Sequence, residues 1–443
     1  MGKRITFART YIMTTFMLKT LRHFRQKSLR QHPTLVTLFE WTFISVLVAI
    51  CVGLSSALFL HALHWVTDLR NEHFRIIYLL PLAGILIGYV FYRWGQEIES
   101  GNNLIIDNIH EPKKVIPFRM APFILLGTII THLFGGSAGR EGTAIQMGGA
   151  IADQFTRLFK LTKSNRKIIL IAGMSAGFGS VFGTPFAGAV FGLEVYSLGR
   201  MKYDAIFPAF IAAIVADYVA RLALVQHTAY PMGFVPDINF EFTGLSILAG
   251  ILFGLAAMLF TRSTQYINRF SKKYIAKAWL RPFCGAFIII GATLALGSDK
   301  YLGLGVPSIV ESFEVQQMPW VFMLKLLFTA VTLGFGFKGG EVTPLFFIGA
   351  ALGSALSFVL PLPIGLLAAM GFVAVFAGAT NTPLASSIMA LELFGAACAP
   401  YVAIACVVAY LISGHNGIYS SQKIGSPKTL LQKGDVNKRL NEL

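Results

Sequence analysis

Two glutamates, Glu141 and Glu341, interrupt otherwise apolar sequence in glycine-rich settings: Gly139-Arg140-Glu141-Gly142-Thr143 and Gly339-Gly340-Glu341-Val342-Thr343-Pro344. A glycine-rich turn that opens a helix leaves free backbone N–H groups and the positive end of the helix dipole aimed at one place, and such an end attracts anions. A carboxylate at that place competes with an incoming anion while it is ionised. Once protonated, it leaves the site or donates a hydrogen bond, so anion binding and proton binding become linked at one residue. Four anion-attracting features are expected: the helices opening after Gly139 and after Gly339, the Gly101-Asn102-Asn103 turn, and the Gly417-Ile418-Tyr419-Ser420 turn. The backbone of Gly139, Arg140, Gly142, Gly340 and Val342 would supply the N–H groups at the two helix starts. No cluster of carboxylates has metal-ligand spacing, so an anion fits better than a divalent cation, and neither metal nor cofactor is expected.

Plainer readings stand beside these. Glu141 could be a first-turn acid next to Arg140, and Glu341 a capping acid paired with Lys338. The Thr343 hydroxyl either bonds a preceding carbonyl of its own helix or donates to the ion, and Tyr419 could be an aromatic residue of the membrane interface. Glu194 and Glu392, each closing an apolar helix, read as structural.

The elements that must hold these residues form an internal repeat. Glu141 and Thr143 match Glu341 and Thr343 at a spacing of 200, while Thr184-Pro185 and Glu194 match Thr382-Pro383 and Glu392 at 198. Glycine-interrupted apolar segments at corresponding positions of two halves point to a transporter with its site at the repeat interface.

Composition agrees with that setting. The 443 residues are 55% apolar and only 13% charged, with a mean hydropathy of +0.65. That is too little polar surface to cover a soluble globule, and several apolar stretches reach the roughly 20 residues that cross a hydrocarbon core. The expectation is an all-α, polytopic membrane protein.

The net charge of +16 does not indicate nucleic acid, because the basic residues sit in an N-terminal arm and in links between apolar stretches, the positive-inside pattern. The expected organisation is a basic cytoplasmic arm over 1–40, lying against anionic lipid, a first transmembrane repeat over 41–225, a second over 226–422, and a short polar tail over 423–443 with no regulatory domain. Residues 5–18 lack the clean apolar core of a cleavable signal peptide. Cys51, Cys284, Cys398 and Cys406 lie in or beside apolar spans and read as small hydrophobes. The histidines make no protease or metal spacing, so an enzyme is not expected.

At these residues the chain resembles the CLC family of chloride channels and anion/proton antiporters, over roughly residues 40–425. Gly139-Arg140-Glu141-Gly142 matches the family's gating-glutamate motif, preceded by Gly-Gly-Ser-Ala and followed by Gln146-Met147-Gly148-Gly149-Ala150. Tyr419 takes the place of the family's central tyrosine. The resemblance implies two inverted repeats of tilted and broken helices, and a homodimer with one pathway per subunit. Where chloride-type members carry Gly-Ser-Gly-Ile-Pro and Gly-x-Phe-x-Pro, this chain has Gly101-Asn102-Asn103-Leu104-Ile105 and Gly340-Glu341-Val342-Thr343-Pro344. Those substitutions resemble the bacterial fluoride/proton antiporter branch. Val195 stands where chloride/proton antiporters have an inner proton-transfer glutamate, and the fluoride branch also lacks that acid. The resemblance thus implies fluoride and protons as the exchanged ions in a bacterial inner membrane, with Glu141 as gate and proton carrier and Glu341, Thr343, Asn102 and Tyr419 around the anion. The alternative on the same fold is a chloride/proton antiporter or a chloride channel.

Overall fold

The computed structural model describes residues 33–429 and 434–443. The basic side chains of the N-terminal arm, Lys3 to Arg30, lie outside the described residues. Helix α1 begins at Pro33, so the last part of the segment expected to be an arm is already helical.

Among the described residues there are sixteen α-helices, and they fall into two series of similar lengths. The first runs α1 (Pro33–Glu72), α2 (Leu80–Trp94), α3 (Asn102–His110), α4 (Met120–Leu133), α5 (Glu141–Leu158), α6 (Lys163–Phe182), α7 (Pro185–Glu194) and α8 (Ile206–Leu222). The second runs α9 (Phe240–Tyr274), α10 (Arg281–Leu296), α11 (Val306–Glu314), α12 (Trp320–Gly334), α13 (Val342–Leu356), α14 (Ile364–Thr380), α15 (Pro383–Phe394) and α16 (Ala399–Ile412). Both series open on a very long helix. At 1.5 Å per residue, the 40 residues of α1 reach about 60 Å, twice a hydrocarbon core, and so must tilt. Among the described residues, five helical stretches are long and apolar enough to cross a membrane.

The apolar stretches that look continuous in sequence are cut into shorter helices. Residues 343–413 form α13 to α16, and 167–196 divide at Gly183 into α6 and α7. Gly183 takes a left-handed φ of 78°, and the Thr184-Pro185 and Thr382-Pro383 pairs place a proline at the first position of the next helix, where its missing N–H costs nothing. Helices α5 and α6 cross where a methyl on Gly148 would lie 2.2 Å from the Gly173 carbonyl oxygen; α13 and α14 cross where one on Gly349 would lie 2.0 Å from that of Gly371. Each half has therefore spent two glycines on one backbone-to-backbone crossing.

Helices α7 and α15, of 10 and 12 residues, are too short to cross a bilayer, so their ends need acceptors for orphan N–H groups. Each half supplies the other's. Glu194, ending α7, accepts from Leu384 N (3.2 Å) and Ala385 N (2.9 Å) at the start of α15. Glu392, near the end of α15, accepts from Phe186 N (3.0 Å) and Ala187 N (2.7 Å) at the start of α7. The two equivalent helices therefore lie antiparallel, as inversion of the repeats requires, and the structural reading of both acids is correct. Glu194→Ala leaves two N–H groups without an acceptor, at about 1–3 kcal/mol for an unsatisfied buried group. The expected outcome is a lower thermal-unfolding midpoint in detergent, and an unchanged midpoint would contradict the capping role.

A ring cluster fills the space between the halves, with Phe182 against Phe346 (4.9 Å between centroids), Phe346 stacked on Phe372 (4.2 Å) and Phe178 on Phe191 (4.6 Å). The expected polar tail folds back on the body. Strand β1 (Ser197–Leu198) pairs in parallel with β2 (Lys423–Ile424), and Arg439 lies 3.4 Å from Asp107 and 3.6 Å from Glu111, beside the end of α3.

Candidate functional site

The two glycine-rich loops meet at the centre of the molecule. Gly139 and Gly340 exchange backbone hydrogen bonds in an antiparallel bridge, Gly139 N to Gly340 O at 2.6 Å and Gly340 N to Gly139 O at 2.8 Å. Helices α5 and α13 diverge from this bridge, and their first residues carry the predicted chemistry. The expected helix starts at Glu141 and Val342 are thus adjacent in space.

Glu141 is fully buried. Its Oε2 accepts a hydrogen bond from the Thr343 hydroxyl at 2.5 Å, and its Oε1 lies 3.4 Å from Arg140 Nε. Thr343 Oγ1 in turn accepts from the backbone N–H of Arg140 at 3.2 Å. A single hydroxyl thus ties the carboxylate of one half to the helix start of the other. The alternative in which Thr343 bonds a carbonyl of its own helix does not occur. Its repeat mate Thr143 points elsewhere, its hydroxyl 2.7 Å from that of Thr128 on α4.

Gly142 shows what surrounds the carboxylates. A Cβ there would meet Gly340 Cα at 2.9 Å, Asn102 Nδ2 at 3.5 Å and Glu341 Oε2 at 3.6 Å. Only a residue without a side chain lets α5, α13 and α3 converge, and the same point marks where Asn102 and Glu341 face each other. Asn102 opens α3 behind Gly101, whose φ of 56° is left-handed. Glu341 is partly exposed where Glu141 is not. The pairing of Glu341 with Lys338 is absent; the Lys338 ammonium instead sits 4.2 Å from the ring centroid of Phe91.

Tyr419 is buried, packs edge-on against Phe191 at 6.3 Å, and lies within electrostatic range of both Glu341 and Glu141. Its loop is fixed on three sides: Ile418 N donates to Ala379 O (2.9 Å), Ser421 N donates to Asn103 Oδ1 (3.0 Å), and Gln422 Nε2 donates to Val195 O (2.7 Å) and Thr380 O (2.8 Å). The hydroxyl of Tyr419 and Oδ1 of Asn102 are both buried without a hydrogen-bond partner. Buried polar atoms left unpaired are costly, and two at one site mark a place for a polar guest. Val195 is fully buried and apolar, so its side chain carries no proton there.

Several residues that the sequence did not single out hold the site. The ring nitrogens of His132 lie 2.8 and 2.9 Å from the carbonyl oxygens of Thr128 and Ala138, tying α4 to the loop before Arg140. Ser137 reaches across the repeat to Thr332 (backbone N to Oγ1, 3.1 Å) and Thr329 (2.9 Å between hydroxyls). Polar residues in apolar segments were the available signal, but nothing in their spacing names partners almost 200 positions away. No group of three or more His, Cys, Asp or Glu that could hold a metal occurs among the described residues. Chemically, the arrangement offers a buried carboxylate held by a hydroxyl and a guanidinium between two helix starts, with a side-chain amide and a second carboxylate alongside.

Comparison with known proteins bears on this geometry. The family model described as voltage gated chloride channel matches residues 83–414. The chain is 53% identical over 395 residues, 88% of its length and 87% of the other's, to a protein from Pseudomonas syringae pv. tomato named chloride/fluoride channel protein. It is 26% identical over 387 residues, 79% of its length and 81% of the other's, to the H(+)/Cl(-) exchange transporter ClcA of Vibrio vulnificus. Among solved structures it is similar to a CLC-type fluoride/proton antiporter, with a TM-score of 0.85 and 34% identity over 87% of this chain and 98% of that one. A slow cyanobacterial Cl−/H+ antiporter shares the fold at a TM-score of 0.73 and 20% identity, over 84% of this chain and 94% of that one.

Proposed function

Because the chain belongs to the CLC family of voltage-gated chloride channels and their transporter relatives, a family of multi-pass membrane proteins, we propose that it exchanges fluoride for protons and exports fluoride from a bacterial cell. In this reading it sits in the inner membrane with its N-terminus in the cytoplasm, as a homodimer with one pathway per subunit.

The observation that carries the proposal is the bond between Thr343 and Glu141 with Asn102 and Glu341 alongside. Ionised, Glu141 takes the Thr343 hydroxyl at the start of α13 for itself, so its charge stands where an anion would bind. Protonation removes the competitor and supplies a donor. Anion and proton then exchange places at one carboxyl group, which is the elementary step of antiport. The proton gradient, running inward, drives fluoride outward.

The choice of fluoride rests on donor chemistry. Fluoride is small, strongly hydrated and basic for a halide, so its water must be replaced by strong, close donors. Asn102, Thr343, Tyr419 and a protonated Glu341 add such donors, and the Tyr419 hydroxyl is a buried donor that lacks a partner. The fluoride/proton antiporter of similar structure and the relative named chloride/fluoride channel protein support the same assignment. The rival is chloride transport on the same fold. Proteoliposomes containing the purified protein should take up protons when fluoride leaves, and chloride at equal concentration should support little proton movement. Equal proton coupling to chloride would overturn the assignment in favour of a chloride/proton antiporter, and anion flux without proton movement would make it a channel.

A further inference from the structure

We propose that a cavity of about 760 Å³ bounded by α2, α9, α10 and the loop after α12 is a binding site for the phosphate-bearing headgroup of an anionic phospholipid. The proposal does not depend on which ion the protein carries.

Three cations and one acid line the cavity: Lys272 in the last turn of α9, Arg281 at the start of α10, Lys338 and Glu99. The cations have donors to spare. Lys338 makes no hydrogen bond or ion pair among the described residues and rests over the Phe91 ring. Arg281 uses only Nε, toward Ile275 O at 3.0 Å, which leaves the two terminal nitrogens of its guanidinium. Lys272 has no hydrogen-bonding partner among the described residues. A group with several anionic oxygens is what such a set lacks, and a phosphate diester provides it.

The position selects a lipid rather than a free ion. The spans containing α2 and α10 are among the least covered by protein, with 33% and 28% of their apolar windows buried, so their flanks face the hydrocarbon. Tyr89, Tyr92 and Trp94 stand exposed on the last turns of α2, and aromatic residues at the end of a span mark headgroup depth. Since α1 crosses and α2 returns, this end of α2 lies on the side where α1 starts, the side that the basic residues of the chain assign to the anionic leaflet. Acyl chains would run along the exposed faces of α2 and α10 with the headgroup in the cavity.

The cavity has a route to the centre. Its floor includes Gly336, Phe337 and Lys338, and Glu341 follows three residues after Lys338. Helix α9 already steadies this loop, with Ser271 Oγ donating to Gly334 O at 2.8 Å. A bound headgroup would brace the same segment from the other side.

The test uses the full chain in detergent, followed by native mass spectrometry with phosphatidylglycerol, phosphatidylcholine or inorganic phosphate added. Phosphatidylglycerol should be retained better than phosphatidylcholine by roughly 30-fold or more, the order expected for two or three cations at a headgroup. The K272Q/R281Q double variant should lose that preference, and the R281K variant should keep most of it. Equal retention of the two lipids by the unaltered protein, or a preference that survives the double substitution, would overturn the proposal. So would full displacement of phosphatidylglycerol by millimolar inorganic phosphate, which would make the cavity a free-anion site.

Discussion

Glu141→Gln should reduce proton-coupled fluoride exchange by roughly 100-fold or more, the scale lost when a positioned proton carrier is removed. Glutamine keeps the volume of the fully buried side chain, and its carbonyl oxygen can still accept from Thr343. What it cannot do is ionise, so it can neither compete with the anion as a charge nor carry a proton across the site. The measurement is fluoride efflux from proteoliposomes under an imposed pH difference, with proton flux followed at the same time. Any remaining fluoride movement should ignore the pH gradient. Proton-driven fluoride transport at wild-type rate in this variant would remove Glu141 from the mechanism.

The second large effect is structural. Arg166 on α6 and Asp153 on α5 form a buried pair with two contacts of 2.8 Å. The same guanidinium also donates to Lys113 O (3.0 Å), Lys114 O (2.8 Å) and Asn108 Oδ1 (3.0 Å). It thereby fastens α3, which opens with Asn102, to α5, which opens with Glu141. Arg166→Ala leaves a buried carboxylate without its cation and two backbone carbonyls without a donor, at about 3–5 kcal/mol. The expected result is a large drop in the thermal-unfolding midpoint and in the yield of monodisperse protein. Replacing both partners, Asp153→Leu with Arg166→Met, should recover much of the loss because no charge is left unpaired. An Arg166→Ala protein as stable as the wild type would show that the pair contributes nothing.

The parts of this structure legible in the sequence are those written as local pattern. The glycines around Glu141 and Glu341 predict the two helix starts, and spacings of 200 and 198 expose the repeat. The two readings of Thr343 could not be decided that way, since a carbonyl of its own helix and a bound ion both suit a hydroxyl. The structure gives it a partner that neither reading named, the Glu141 carboxylate 202 positions away. Repeat symmetry misleads at the same point: Thr143 and Thr343 match in sequence yet face different partners, because Glu141 turns toward the second half and Glu341 makes no matching bond to Thr143. The apolar run over 343–413 also hides its breaks, since hydropathy registers burial but not where a helix ends inside a membrane. The C-terminal segment reads as polar, and the β1–β2 pairing and the ion pairs of Arg439 with Asp107 and Glu111 reveal its attachment.

The crossed caps of α7 and α15 also set a schedule for biogenesis. Phe186 N must wait for an acceptor 206 positions downstream, and at about 5–20 residues per second of synthesis that delay is on the order of 10–40 s. During that interval the first half is inserted with the start of α7 uncapped in or near lipid, which favours holding it at the translocon or in contact with a chaperone until the second half emerges. The duplication thus turns two modules that share an ancestry into one indivisible folding unit, and co-expression of separate halves should yield stable protein only where both are made in the same membrane at the same time.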